Sequence, residues 1–428
     1  MVEGRERTRP PRRVSSDENG DDSIAPSAGT TTGQPVRENH MNFEFTEEQR
    51  LFAHQVRRFA QEKLAPHALE RAHDPRFPFD VAELMSAQGL MGITLSESDG
   101  GQGGTLMDAI ITIEQVASAC PRSADVVQFG NSGPIRTLAE YGTAAQKARW
   151  LPELLGGRMV LSLGMSEPDA GSAVTDLKTT AKPDGSAYLV NGTKVFSTFS
   201  PDATLFLVYV RYGPGLGGIG SVIVERGAPG FSIGAPSSFM SGEEWCELHF
   251  EDCRIPAENV LLGPGGFKKQ MESFNVERLG NAARALALGR HAYDAARAHA
   301  KSREQFGRPL CEFQGLQWKF ADMAIKLEAA QLLLYRAAAN ADRGLPSAYE
   351  TAVAKAACNQ TGFEVANESI QIMGALGYSR ETLVEYCMRR TRGWMIAGGS
   401  IEMLKNRIAE HVFDRRFDQR KRHADAAE

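Results

Sequence analysis

Residues 187–198 read AYLVNGTKVFST, and the reading of this stretch decides the fold. Its short run of β-branched and aromatic residues has the composition of a strand, not of a helix. The same signature returns in TLFLVYVRY (204–212), SVIVERG (221–227) and ELHFEDCRI (247–255), with turn residues between them. Residues 161–265 therefore read as a small β-domain. Working outward, the period changes on both sides. Upstream, FTEEQRLFAHQVRRFAQEKLAPHA (45–68) places Leu51, Phe52, Val56, Phe59 and Leu64 on one helical face behind the start signal Thr46-Glu47-Glu48. Helical patterns continue to about residue 156, broken at SESDGGQGG (96–104) and CPRS (120–123), so 41–160 is expected to be a helical domain. Downstream of GPGG (263–266), AARALALGRHAYDAARAHAKSREQF and KFADMAIKLEAAQLLLYRAAANADR are long enough to pack as a bundle over 266–428. The order is helices, sheet, helices, a mainly α chain with a central β-domain.

Residues 1–40 are rich in Arg, Pro, Ser, Gly and Asp and nearly free of large apolar residues, so they are expected to be disordered. They lack the apolar core of a secretory signal, and their acids fit a mitochondrial leader poorly; Met41 is a second candidate start. The 428 residues, 42% hydrophobic, can bury a large core, and a net charge of −5 with dispersed basic residues points to no nucleic-acid or membrane-surface partner. No apolar run approaches the roughly 18 residues that cross a bilayer. The six cysteines are scattered without a C-x-x-C pair or a histidine cluster, which argues against a metal site and a disulfide framework and makes the cytoplasm the simplest home. GLGGIG (215–220) matches a dinucleotide-binding fingerprint, but it runs from one strand pattern into another and is read as a hairpin loop.

Five separated blocks then occur in one order: MSEPDAGS (165–172), GTKVFST (192–198), ELHFEDCRIPAENVLLG (247–263), SREQFGRPL (302–310) followed by FQGLQWKFADM (313–323), and QIMGALGY (371–378). By these blocks the chain resembles the flavin-dependent acyl-CoA dehydrogenase family over roughly residues 42–420. The resemblance implies an N-terminal helical domain, a middle β-barrel-like domain and a C-terminal four-helix bundle. It also implies FAD, an acyl-CoA or acyl-carrier-protein substrate, an electron-transferring flavoprotein as oxidant, and a homo-oligomer, tetramer or dimer. Leu163, Met165, Ser166, Gly171 and Ser172 match positions lining the flavin and the phosphate side of the cofactor. Thr198 matches a threonine at the flavin N5 edge, and Phe196 stands where the family usually has a tryptophan against the ring. Arg303, Gln305 and Phe306 match residues gripping a neighbouring subunit's FAD, Arg303 with a planar fork suited to a pyrophosphate. Gln371, Ala375 and Gly399 match further cofactor contacts, and Ser172, Asn275 and Arg278 match substrate contacts. Read without the resemblance, MSEPDAGS is a hairpin, Phe196 a core residue, and SREQFG a helix end stopped by Gly307.

Desaturation of a thioester needs a base for a weakly acidic α-proton, and hence a desolvated carboxylate whose pKa is raised toward working pH. The loop RGWMIAGGSIEML (392–404) carries Ala397 where most of the family has that glutamate. An isovaleryl-CoA dehydrogenase-like branch places the acid instead on a bundle helix, and FNVERLG (274–280) supplies Glu277 there. Val276, Leu279, Ala283 and Leu286 make a packed stripe, Glu277 lies about 100° from Val276, and Gly280 leaves room one turn on. Glu277 is the expected base, Glu402 its competitor, and the Ala397 N–H an expected donor to the thioester carbonyl. STFS (197–200) departs from the family pattern, and Ala173 and Arg390 each replace an aspartate; Phe199 and Ser200, expected near the flavin edge, keep an acyl-CoA oxidase or a monooxygenase-like relative open. A non-catalytic acyl-thioester binder is the expectation if Glu277 faces solvent and the substitutions spoil the flavin site.

Overall fold

The N-terminal start signal folds as the sequence dictates. Thr46 caps the helix Glu47–Phe59, its hydroxyl accepting from the Gln49 N–H while the Gln49 side chain accepts from the Thr46 N–H. The same reciprocal cap recurs at Thr105 with Asp108, opening Leu106–Ala119, and at Thr143 with Gln146, opening Ala144–Leu155. The computed structural model describes residues 44–341 and 344–417; the segment expected to be disordered, 1–40, lies outside them. From Phe45 on, the described chain is one compact unit.

The middle lobe is a mixed sheet. Its strands run in the spatial order Phe231–Ile233, Glu244–Pro256, Ala187–Thr198, Thr180–Asp184, Leu205–Arg211, Ile219–Glu225 and Val260–Leu262, with Leu161–Gly164 parallel to Leu205–Arg211. GLGGIG closes the antiparallel pair Leu205–Arg211 and Ile219–Glu225, so it is a hairpin loop. Strand Ala187–Thr198 slips register against Glu244–Pro256 between Lys194 and Ser197. That bulge holds Phe196 at φ +59° and leaves it 56% exposed.

In the C-terminal lobe, the long helix Phe267–Ser302 packs against Ala348–Met373, Gln314–Ala339 and Val384–Trp394. The first two approach through small residues: a Cβ on Gly362 would lie 2.1 Å from the Ala285 carbonyl oxygen. A buried ion cluster joins the lobes. Asp125 of Ala124–Asn131 accepts from Arg122, from Arg284 of the long helix and from Arg390 of Val384–Trp394, and Arg390 also meets Glu243 of the middle lobe at 3.0 Å. Burial alone would raise the Asp125 carboxyl, but Arg390, Arg284 and Arg122 together hold it at about 2.

Candidate active site

Val276, Leu279, Ala283 and Leu286 are buried as the periodicity requires, and the long helix is enclosed on every side from Leu279 to Gly289, so packing against several elements fixes its rotation. That rotation turns Glu277 toward the end of Ala124–Asn131 in the N-terminal lobe. Gln128 donates from Nε2 to Glu277 Oε1 and also reaches the Glu277 main-chain oxygen at 3.4 Å. The Ser132 hydroxyl lies 3.2 Å from Glu277 Oε2. Gly133, at φ +68°, completes the cradle, because a Cβ there would lie 2.7 Å from Oε2. Gly280 serves the same cradle from beneath, where a Cβ would come within 3.1 Å of Gln128 Cγ and Ser132 Oγ. Glu277 is half-buried as a residue, yet its carboxyl is packed deep enough that desolvation dominates. Burial pushes it up to about 7, against the opposing pull of Arg284, Ser132, Gln128 and Lys355. A small cavity bordered by Gln128 and Ser132 of the cradle, but not by Glu277 itself, is lined by Leu106, Ile110 and Ile113 on one side and by Val276, Leu279 and Gly280 on the other.

The loop bearing Ala397 follows Val384–Trp394 and turns through Gly398 at φ +72° and Gly399 at φ +97° before Ser400 caps Ile401–Val412. Cationic and amide groups of the bundle hold its carbonyls. Arg278 Nε donates to Gly398 O at 3.0 Å, Lys355 Nζ to Trp394 O and Gly399 O at 3.1 Å each, and Asn359 to Trp394 O at 2.6 Å. Burial, aided by Arg278, pushes Lys355 down to about 7, while burial brings Arg278 down to about 10. Arg278 also donates to Asn275 Oδ1 at 2.9 Å and lies over the Phe274 ring. One expectation is corrected here. The Ala397 N–H donates to Gly393 O at 3.0 Å, so the helix end takes the donor expected to face a thioester carbonyl. Glu402 is exposed, and its own backbone N–H and Ser400 hold its carboxyl below the ordinary value, which makes it a poor base.

The residues expected around a flavin fall into three places. Leu163 and Met165 are half-buried at the end of Leu161–Gly164, followed by half-buried Ser166 and exposed Gly171 and Ser172. The turn is held by a pair the sequence reading passed over: buried Glu167 accepts from Lys194 Nζ at 2.7 Å and from the Lys178 and Thr179 N–H groups at 2.6 and 2.9 Å. Thr198 pairs with Trp245 across the sheet, and the Phe196 ring lies 4.6 Å from that of Trp245, so Phe196 is an exposed aromatic wall and not core. Phe199 and Ser200 do not border this face. Phe199 is fully buried against Phe77 and Phe129, and Ser200 accepts from the Cys246 N–H. Arg303, Gln305 and Phe306 stand apart on a two-stranded hairpin, Glu304–Gln305 with Arg308–Pro309, where Phe306 is 95% exposed at φ +53°. The helix therefore ends at Ser302, and Gly307 belongs to the hairpin turn. Gln371 and Ala375 are exposed near the end of Ala348–Met373.

This architecture is matched along nearly the whole described chain by the N-terminal domain of acyl-CoA dehydrogenases over residues 46–158, the middle domain over 162–253 and the C-terminal domain over 264–413. A short-chain-specific acyl-CoA dehydrogenase of Clostridium acetobutylicum is 34% identical over 378 residues, 87% of this chain and 100% of that protein. The chain belongs to the acyl-CoA dehydrogenase family. Within the family it is also 35% identical, over 89% of this chain and 99% of the other, to a 3-sulfinopropanoyl-CoA desulfinase of Paraburkholderia xenovorans. The solved butyryl-CoA dehydrogenase of Megasphaera elsdenii superposes with a TM-score of 0.81 at 32% identity, covering 87% of this chain and 100% of that one. The family motifs drew attention to Glu277 and passed over Gln128, Ser132, Gly133 and Lys355. The i, i+4 pair Gln128 and Ser132 followed by Gly133-Pro134 was the only trace of the cradle in the sequence.

Proposed function

We propose that this acyl-CoA dehydrogenase is an FAD-dependent enzyme in which Glu277 removes the α-proton of an acyl-CoA or acyl-carrier-protein thioester to give a 2-enoyl thioester. The observation that carries this reading is the carboxyl of Glu277, desolvated to about 7 and held at both oxygens by neutral donors, in a chain with no acid at position 397. A base poised near neutral pH is strong enough to take a weakly acidic proton and weak enough to be free of it at rest. The inward-turned carboxyl of Glu277 supports this reading over a binder without chemistry, and the burial of Phe199 and Ser200 gives the oxidase or monooxygenase-like alternative no support from those two side chains.

The donor set suits FAD. Exposed Phe196 on a bulge beside Trp245 offers a stacking face, Ser166, Ser172 and Thr198 offer hydroxyls, and Gly171 has nothing within 4 Å of where a Cβ would stand. Arg303, Gln305, Phe306, Gln371 and Ala375 are exposed on other parts of the surface, which suits contacts to the FAD of a second copy. Gly399 lies in the loop clasped by Arg278 and Lys355. Bound FAD would supply the acceptor for the β-hydride. The protein orients the acid by the 128–133 cradle, clasps the loop carbonyls through Arg278 and Lys355, and offers the apolar side chains of Leu106, Ile110 and Ile113 to an acyl chain. Asn275 and Arg278 lie on the same turn as the base and serve the thioester side. We assign the 161–265 segment to the flavin-facing middle domain, 41–160 and 266–428 to the flanking helical domains, an electron-transferring flavoprotein as oxidant, a homo-oligomeric assembly, and the cytoplasm as compartment. No described helix is long and apolar enough to cross a membrane.

The test is anaerobic bleaching of the holoprotein's flavin absorbance by a panel of acyl-CoA and acyl-carrier-protein thioesters. At least one is expected to bleach and to yield a 2-enoyl product by mass spectrometry; protein that binds no FAD, or bleaches with none, overturns the reading.

A further inference from the structure

Two oxygens of one carboxylate are held here by donors of unequal permanence. Gln128 directs both amide hydrogens to Glu277, one to Oε1 and one to the main-chain oxygen at 3.4 Å. Its own Oε1 is buried without a hydrogen-bond partner, so nothing else among the described residues competes for its orientation. Ser132 is different. Its hydroxyl has one hydrogen and two acceptors in reach, the Gln128 main-chain oxygen at 2.9 Å and Glu277 Oε2 at 3.2 Å. It can serve one at a time. Gly133 keeps the space beside Oε2 free of any side chain.

We infer that Gln128 is the fixed anchor of Glu277 Oε1 and Ser132 the releasable partner of Oε2, so that Oε2 is the oxygen that receives the substrate proton once the Ser132 hydroxyl turns back to the Gln128 carbonyl. This rests on the reading of Glu277 as the base. In the step, the α-carbon–hydrogen bond breaks, its electron pair stays on the α-carbon and spreads into the thioester carbonyl, and the proton forms a bond to Oε2. Gln128 and Ser132 are positioning residues. Neither exchanges a proton with substrate. The charged and titratable groups facing Glu277 are Arg284 on its own helix, Lys355 on Ala348–Met373 and Tyr209 in the sheet, and all stay in place in the variants below.

The experiment is anaerobic single-turnover flavin reduction of the holoenzyme by whichever thioester bleaches it fastest, followed against pH in wild type, Ser132→Ala, Gln128→Met, Gln128→Glu and Glu277→Gln, with thioester Kd and melting temperature measured alongside. Ser132→Ala is expected to move the midpoint of the rate profile upward by roughly half a pH unit or more while the high-pH rate stays within about threefold, since a carboxylate donor is lost but the anchor is kept. Gln128→Met is expected to lower the high-pH rate by about tenfold or more with Kd changed by less than about threefold, the mark of lost orientation. Gln128→Glu keeps the shape and sets a like charge against Oε1, so its midpoint is expected to rise further than that of Ser132→Ala, which decides the matter should Gln128→Met melt early. The inference is overturned if Gln128→Met reduces at the wild-type rate, or if Ser132→Ala lowers the plateau without moving the midpoint. A Glu277→Gln enzyme as fast as wild type would instead remove the assignment of the base itself.

Discussion

At Glu277 the chemistry proposed here and the stability of the protein pull in opposite directions. The carboxyl titrates near 4.5 when exposed and near 7 in the fold, because burial penalises its charged form. Flavin reduction is therefore expected to rise with pH, half-maximal near 7, and a rate that is flat from pH 5.5 to 8.5 would contradict the assignment. The folded state binds more protons than the unfolded chain between those two values. The stabilisation from this group is thus complete below about 4.5 and lost as pH rises through about 7. Glu277→Gln removes that dependence, so its melting temperature is expected to exceed that of wild type above pH 7 and to converge with it toward pH 4.5. Gly133 is the sharpest single test of the cradle. A methyl group there would meet Oε2 at 2.7 Å on a backbone at φ +68°, so Gly133→Ala is expected to lose more than about tenfold in flavin reduction, with a further cost of about 1 kcal/mol in stability from the left-handed backbone.

Between elements, the close approach of Phe267–Ser302 and Ala348–Met373 fixes where Glu277 can stand relative to the loop it serves. Gly362→Ala would drive a Cβ to 2.1 Å from the Ala285 oxygen, a backbone atom that cannot turn aside, and is expected to cost about 2 kcal/mol or more in denaturant unfolding. Gly393→Ala meets nothing within 4 Å inside the helix Val384–Trp394, and is expected to be neutral or stabilising by up to about 1 kcal/mol. The elements themselves were legible in the sequence where local chemistry marks them: the start signal at Thr46, the stripe through Val276 and Leu286, and the β-branched and aromatic strand Leu205–Arg211, which is buried on both faces. Glu277 was singled out because a shared motif and the missing acid at 397 pointed to one position. Its partners were not, because Gln128 and Ser132 meet it across 149 and 145 residues of chain, and no local pattern encodes such a contact. The Ala397 N–H was misread for a related reason: where the Val384–Trp394 helix ends decides which carbonyl takes that hydrogen, and no cap residue in the sequence marks that end. Phe196 was placed by the family pattern alone, since only the register slip in the sheet turns it outward.

Across the whole molecule, the lobes are locked by buried charges around Asp125. Three guanidiniums, of Arg122, Arg284 and Arg390, converge on its carboxylate, and Glu243 of the middle lobe takes part of the same charge. Arg390, a departure from the family pattern, is thereby matched by an acid from another lobe. Removing the Asp125 charge strands the cations, so Asp125→Asn is expected to lose about 3 kcal/mol or more of stability, read by denaturant unfolding. Arg284 links this cluster to Glu277, whose carboxyl it opposes raising, and Arg390 and Arg284 both lie over the Trp394 ring at the entrance to the Ala397 loop. The fold thus brings one acid from the long helix, a cradle from the N-terminal lobe and an acid-free loop together beside the sheet that carries Phe196 and Thr198. The central claim is that the base sits on the helix and not in the loop. Anaerobic single-turnover reduction of Glu277→Gln and Glu402→Gln holoenzymes, matched for FAD content, tests it most directly. The account predicts a loss of more than about 10²-fold for Glu277→Gln and a change of less than about threefold for Glu402→Gln; a Glu277→Gln enzyme that reduces its flavin at the wild-type rate, or a Glu402→Gln enzyme that does not reduce it, would contradict it.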